Sequence, residues 1–235
     1  MAKLGCRIYT KVNRPAPELV QRFAGLSAAD LDDCMGRIAS VNSSIKPFNN
    51  VKLLGTAVTV NLPSGTNLMF HQALSLAGEG DVVVVNAGGD MSRGVCGENM
   101  IEIARQRGVR GFLVDGVIRD SAAARAQTDF AVFAKGAEAN AAFKFNSPGE
   151  INVPVSVGGV VVYPGDIIVG DEDGVVAIRP KEAEKILAAA EAYAAKQAAN
   201  LELIKKGTSD RSWMKKMLED AGCEFIDKTW DEDEI

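Results

Sequence analysis

Histidine occurs once in this 235-residue chain, at His71, and cysteine four times, at Cys6, Cys34, Cys96 and Cys223, never as a CxxC pair. A single histidine excludes a histidine-rich metal site and argues against a Ser-His-Asp triad. On a helix, such a lone residue reads as packed or surface-lying rather than catalytic. The scattered cysteines suggest neither a zinc knuckle nor a disulfide framework, and reduced thiols are their simplest account. No run approaches the roughly 18 apolar residues that span a membrane. The first residues, MAKLGCRIYTKVNRP, lack the apolar segment of a signal peptide. The expected location is the cytoplasm, away from membranes. Basic residues are outnumbered, 26 Lys and Arg against 31 Asp and Glu, so nucleic acid is not an expected partner. The motifs GxxxxGK[ST], GxSxG and HExxH are missing, and Gly88, Gly89 and Gly94 do not have dinucleotide-binding spacing.

What is present is an alternation of strands and helices. Residues 51–62, VKLLGTAVTVNL, read as a strand. DVVVVN at 81–86 reads as a strand buried on both faces. FAVFAK at 130–135 reads as a third. Helices are expected at 15–25, from Ser27 to near Gly36, and at 67–77, 97–108, 121–127 and 181–206. Beyond residue 150 the chain becomes β-rich, and the GDEDG loop at 170–174 joins two strands as a hairpin. That loop is too short for a 12-residue calcium loop. Residues 1–207 are expected to form one domain. Residues 208–235 are expected to form a C-terminal extension, helical and then acidic.

The chemistry concentrates between Gly94 and Asp120. Phe112, Leu113 and Val114 form a short apolar run between Gly111 and Gly116, and the run is expected to end in polar Asp115, Arg119 and Asp120. Open α/β sheets bind ligands at the carboxyl ends of their strands. The same Arg-Asp pair also reads as a surface ion pair at a turn. Glu98 starts the helix at 97–108, where the backbone N–H groups of Asn99 and Met100 are expected to point outward and favour an anion. Arg119 can bind a carboxylate in bidentate fashion. Asp120 is a hard oxygen ligand suited, with waters, to Mg²⁺ or Mn²⁺. Together these residues describe a site for a small metal-chelating anion.

The segments Gly97-Glu98-Asn99-Met100 and Val114-Asp115-Gly116-Val117-Ile118-Arg119-Asp120 resemble the divalent-metal 4-hydroxy-4-methyl-2-oxoglutarate and 4-carboxy-4-hydroxy-2-oxoadipate aldolases, whose fold family includes the ribonuclease E regulators. Twenty residues separate Glu98 from Arg119, as in the acidic–X20–Arg–Asp pattern of these aldolases. The stretch VPVSVGGVVVYPGDIIVGDEDGVVAI belongs to the same likeness, which runs from about Leu31 to Gly207. The resemblance implies a layered α/β/β/α fold, assembled as homotrimers or homohexamers, and cleavage of a 2-oxo acid substrate to pyruvate, with oxaloacetate decarboxylation as a side activity. It implies Asp120 as ligand of the divalent cation and Arg119 as substrate ligand. Glu98 would act through a metal-bound water, and the backbone from Gly97 to Met100 would hold the pyruvyl carboxylate. Asn99 and Met100 depart from the family's paired leucines. The glutamate that a neighbouring subunit supplies in some of these enzymes falls here near Ala194 or Gln197, with Glu191 the nearest acid. The alternative is a non-catalytic regulator of RNA decay acting through protein contacts. The acidity of Asp120 favours the enzyme.

Overall fold

The computed structural model describes residues 5–144 and 148–230, so the acidic end expected at 231–235 lies outside the described residues. The chain divides into two units, Met1–Tyr193 and Ala194–Ile235. In chain order the elements are β1 (Cys6–Ile8), α1 (Pro17–Gln21), α2 (Ala28–Cys34), β2 (Lys46–Pro47), β3 (Leu53–Asn61) and α3 (Leu68–Leu76). Next come β4 (Asp81–Asn86), α4 (Glu98–Gln106), β5 (Gly111–Ile118), α5 (Ser121–Ala126), β6 (Ala131–Ala137) and β7 (Gly149–Ile151). They are followed by β8 (Val155–Val157), β9 (Val160–Val162), β10 (Ile167–Gly170), β11 (Val175–Ile178), α6 (Ala183–Lys205) and α7 (Ser212–Asp220).

Strands β3, β4, β5 and β6 lie side by side in sequence order and run parallel. A helix returns the chain after each of the first three, as parallel strands require. Strand residues alternate between faces, and the alternation sorts the core in two. Val58, Val60, Val83, Val85, Phe112 and Val114 pack with Phe70 of α3 and Ile101 of α4. Ala57, Val82, Val84, Leu113 and Phe133 pack with Val155, Val157, Val162 and Ile168 on the opposite face. The β8–β9 hairpin and the β10–β11 pair, the latter joined to the large sheet through β10 antiparallel to β3, form the second β layer over this face, and the Ala28 N–H of α2 donates to Asp171 Oδ2 at 2.8 Å. The order is α/β/β/α. The expected hairpin at 170–174 closes with the Asp171 N–H donating to the Gly174 carbonyl at 3.0 Å.

Several elements differ from the sequence expectation. The helix expected at 15–25 is α1 followed by a 3-10 turn, Arg22–Gly25. Lys46-Pro47 forms the short strand β2 antiparallel to β6. An edge strand tolerates proline because its missing N–H can face away from the ladder. The N-terminal arm contributes β1, parallel to β7. Two residues suffice for β2 and three for β1, too few to leave a periodic signal.

Asp166 is a buried charge within this β layer, at 1% exposure. Its Oδ2 accepts the Tyr163 N–H at 2.8 Å, while Arg179 Nε stands 3.0 Å from Oδ1 but out of line for a hydrogen bond. Burial therefore dominates and raises the carboxyl from 3.8 to about 6, against the smaller opposing effects of the Tyr163 N–H and Arg179. The folded state then holds a proton that the unfolded chain releases across about pH 4–6, so this group's contribution to stability is lost as pH rises through 6. Wild type is expected to gain about 1 kcal/mol relative to Asp166→Asn between pH 7 and pH 5. Urea unfolding of both proteins at the two pH values measures the difference.

Candidate active site

The site forms at the carboxyl end of β5. The strand is longer than the apolar run at 112–114 suggests, because Asp115 and Gly116 belong to it. Asp115 is buried inside the strand and does not form part of its polar end. Its Oδ1 forms an ion pair with Lys135 Nζ at 2.6 Å but accepts no hydrogen bond among the described residues, while its Oδ2 accepts the Gly158 N–H at 2.8 Å. The β5–β6 register slips here: Val114 faces Ala134, but Val117 faces Gly136, leaving one extra residue on β5. Such a bulge re-aims the residues after it. Gly116 suits the position, since a Cβ there would lie 2.9 Å from that of Ala87.

Beyond the bulge, Gly94–Cys96 runs beside the end of β5. The Val95 N–H donates to the Val117 carbonyl at 2.9 Å and the Arg119 N–H to the Cys96 carbonyl at 2.8 Å. This pairing brings the start of α4 against Arg119 and Asp120. A Cβ on Gly97 would stand 2.3 Å from Asp120 Oδ2 and 2.8 Å from Arg119 Cγ, so only glycine allows the approach.

Asp120 has left-handed backbone angles, φ 55 and ψ 44, which are costly for a non-glycine residue. It stands at the position that would cap α5, yet its side chain makes no bond to that helix. Instead, Oδ2 accepts the Glu98 N–H of α4 at 3.1 Å. The carboxylate thus takes one donor that α4 cannot satisfy internally. The Met100 N–H bonds to the Gly97 carbonyl at 3.0 Å, so it does not point outward as expected. Of the two donors expected to be free, the Asn99 N–H alone has no partner among the described residues.

Arg119 Nε lies 3.4 Å from Asp120 Oδ1. Both side chains are partly exposed, and among the described residues the remaining Arg119 N–H groups have no protein partner. A cleft of about 200 Å³ opens here, lined by Gly97, Asn99, Met100, Arg119 and Asp120. Glu98, expected in the site, is exposed at the start of α4 and is not among the residues that line this cleft. Cys96 is buried in its floor, where burial and then Asp120 push the thiol upward, so it stays protonated.

Asn67, His71 and Lys144 also line the cleft, and sequence reasoning did not assign them to a site. Asn67 and His71 are one helical turn apart at the start of α3, a spacing that could have flagged a shared face. Lys144 follows an alanine- and asparagine-rich stretch without any periodic signal. Among the described residues no three His, Cys, Asp or Glu side chains come together to hold a metal. Glu191 of α6 instead lies 3.8 Å from Arg22 of its own chain.

The sequence profile described as Aldolase/RraA matches residues 28–177. The chain belongs to this family. It is 37% identical over 207 residues to a protein of Halalkalibacterium halodurans provisionally named 4-hydroxy-4-methyl-2-oxoglutarate aldolase, covering 86% of this chain and 96% of the relative. A Deinococcus radiodurans protein with the same provisional name is 31% identical over 63% of this chain and 92% of its own length. Among solved structures, Streptomyces coelicolor RraAS2, described as an unusual member of the RNase ES inhibitor RraA protein family, superposes with a TM-score of 0.72. That match is 26% identical and covers 82% of this chain and 98% of the neighbour. An uncharacterized Pseudomonas syringae protein shares the fold at TM-score 0.72 and 22% identity, over 84% of this chain and 96% of its own.

Proposed function

We propose that this Aldolase/RraA family member is a divalent-metal-dependent lyase. It would cleave a 4-hydroxy-2-oxo diacid to pyruvate and a second 2-oxo acid, and decarboxylate oxaloacetate as a side activity. The observation that carries this reading is the meeting of Arg119, Asp120 and the start of α4 in one cleft. The names of the aldolase relatives support the reaction class.

Asp120 is suited to hold the cation, Mg²⁺ or Mn²⁺. Its partly exposed carboxylate is a hard oxygen donor beside a cleft with room for waters, and the nearby thiol is kept neutral. When bound, the cation supplies Lewis-acid polarisation of the substrate's keto oxygen. Arg119 directs its free N–H groups at the negative charge left on the pyruvyl fragment as C3–C4 breaks, stabilising charge where it develops. The Asn99 N–H holds a carboxylate oxygen, helped by the positive end of α4. Glu98 orients a water that accepts the proton of the C4 hydroxyl and later returns one to C3. Asp120 thus serves two purposes in the fold, ordering the start of α4 and presenting its remaining lone pairs to the cleft.

The working form in this reading is a homotrimer or homohexamer, in which a neighbouring chain supplies the further acid that Asp120 lacks. The four unpaired cysteines suit a reducing cytoplasm. Among the described residues no helix is long and apolar enough to cross a membrane. A second reading, a regulator of RNA decay acting by protein binding, is favoured by the likeness to Streptomyces coelicolor RraAS2. The two separate on one assay: release of pyruvate from 4-hydroxy-2-oxo diacids or oxaloacetate with Mg²⁺ or Mn²⁺ supports the lyase. Absence of turnover, together with capture of a ribonuclease scaffold, supports the regulator.

A further inference from the structure

A second cavity opens at the other end of the parallel strands. Leu54 and Thr56 lie in the first half of β3, and Arg110 directly precedes β5. They line a cavity of about 430 Å³ together with Arg14 and Pro15 of the N-terminal arm and Val20 of α1. Small-molecule sites have volumes of about 300–1,000 Å³. Because β3, β4 and β5 run the same way, this cavity sits at their amino ends, whereas Arg119 and Asp120 follow the carboxyl end of β5. The two hollows share no residue.

The polar groups of this cavity meet around Asp81, the first residue of β4. Arg14 Nε donates to Asp81 Oδ1 at 2.8 Å and Arg14 Nη2 to Oδ2 at 2.7 Å. The Arg110 N–H donates to the Asp81 carbonyl at 2.7 Å, and Thr56 is the residue opposite Asp81 in the β3–β4 register. Each of the three keeps unused hydrogen-bonding capacity. Asp81 is fully buried and fixes one edge of the Arg14 guanidinium, while Arg14 Nη1 has no partner among the described residues. Arg110 Nη2 donates to Glu79 Oε1 at 2.8 Å, but both side chains of that pair are exposed. Surface pairs of this kind are weak, so an incoming carboxylate can displace Glu79. Thr56 is 5% exposed and its backbone N–H donates to the Gly80 carbonyl at 3.0 Å. Its hydroxyl makes no hydrogen bond among the described residues. Leu54 and Thr56, two residues apart, share a strand face, and both line the cavity. A buried hydroxyl without a partner is costly, and a ligand oxygen in the cavity would remove that cost. Pro15, Val20 and Leu54 supply apolar surface beside these groups.

We propose that this cavity is a binding site for a small organic acid with an apolar body. The free N–H groups of Arg14 and Arg110 and the Thr56 hydroxyl hold the carboxylate, and Pro15, Val20 and Leu54 cover the body. The site is separate from the cleft at Arg119 and stands whether or not that cleft is a lyase.

Calorimetric titration of the full-length protein with 3-phenylpropionate tests it, with 3-phenylpropanol as the probe without charge and acetate as the probe without a body. Saturable binding of 3-phenylpropionate is expected, at least about tenfold tighter than of either control. Arg110→Met should weaken it about tenfold and Thr56→Val about fivefold, while Arg110→Lys, which keeps the charge, should retain most of the affinity. Arg14 is left in place, since its loss would strand Asp81 as a buried unpaired charge. Arg119→Met, or EDTA, should change the affinity less than about twofold. If Thr56→Val does not fold, Arg110→Met decides, because its side chain is exposed. No saturable binding, equal affinity for the alcohol, or an affinity that falls with Arg119→Met and not with Arg110→Met overturns the proposal.

Discussion

Asp120→Gly is expected to abolish metal-dependent turnover while leaving the protein folded. Turnover should fall at least about 10³-fold, because the substitution removes the carboxylate assigned to the cation. Stability should change little, for two opposing reasons. Glycine accepts the left-handed backbone that Asp120 now adopts at φ 55, a relief of about 1 kcal/mol. The lost bond from the Glu98 N–H at 3.1 Å costs a similar amount, about 1 kcal/mol. Steady-state kinetics alongside thermal melts measure both parts. A variant that turns over as wild type does would remove Asp120 from the chemistry. One that fails to fold would show that Asp120 is chiefly a brace for α4.

Arg119→Lys carries the second large effect. Lysine keeps the charge but loses the planar fork, and with it the N–H groups that reach past Asp120 into the cleft. The kcat for pyruvate release is expected to fall about 10²–10³-fold, with a smaller change in KM, as for a group whose contacts strengthen when charge develops. Equal fractional losses in kcat and in kcat/KM would bear out that assignment. A rise in KM at constant kcat would instead make Arg119 a binding residue that treats substrate and transition state alike. Because Arg119 Nε lies 3.4 Å from Asp120 Oδ1, the two substitutions should not be additive.

The parallel strands were legible in the sequence because burial on both faces leaves an unbroken apolar run, as in Asp81–Asn86. The GDEDG hairpin was legible from its glycines and flanking valines. The site's acidic and basic residues were also readable as chemical types near one strand end. Their arrangement was not. The bulge after Val114 depends on how β5 meets β6, a long-range register that one strand's sequence does not contain. For the same reason Asp115 read as part of the strand's polar end, although it is buried within β5 and Lys135 from β6 pairs with it there. Asp120 was legible as a hard oxygen ligand, but the close approach at Gly97 that brings its carboxylate to the start of α4 was not. His71 and Lys144 come from segments 73 residues apart, and only the fold makes both line one cleft.

The cleft around Arg119 and Asp120 is expected to perform metal-dependent carbon–carbon bond cleavage. A panel of 4-hydroxy-4-methyl-2-oxoglutarate, 4-carboxy-4-hydroxy-2-oxoadipate and oxaloacetate, assayed for pyruvate with Mg²⁺ or Mn²⁺ and again with EDTA, tests it most directly. The expected result is pyruvate release from at least one hydroxy diacid, lost with EDTA and restored by excess Mn²⁺. Turnover indifferent to EDTA, or no pyruvate from any of the three with either metal, would contradict the claim.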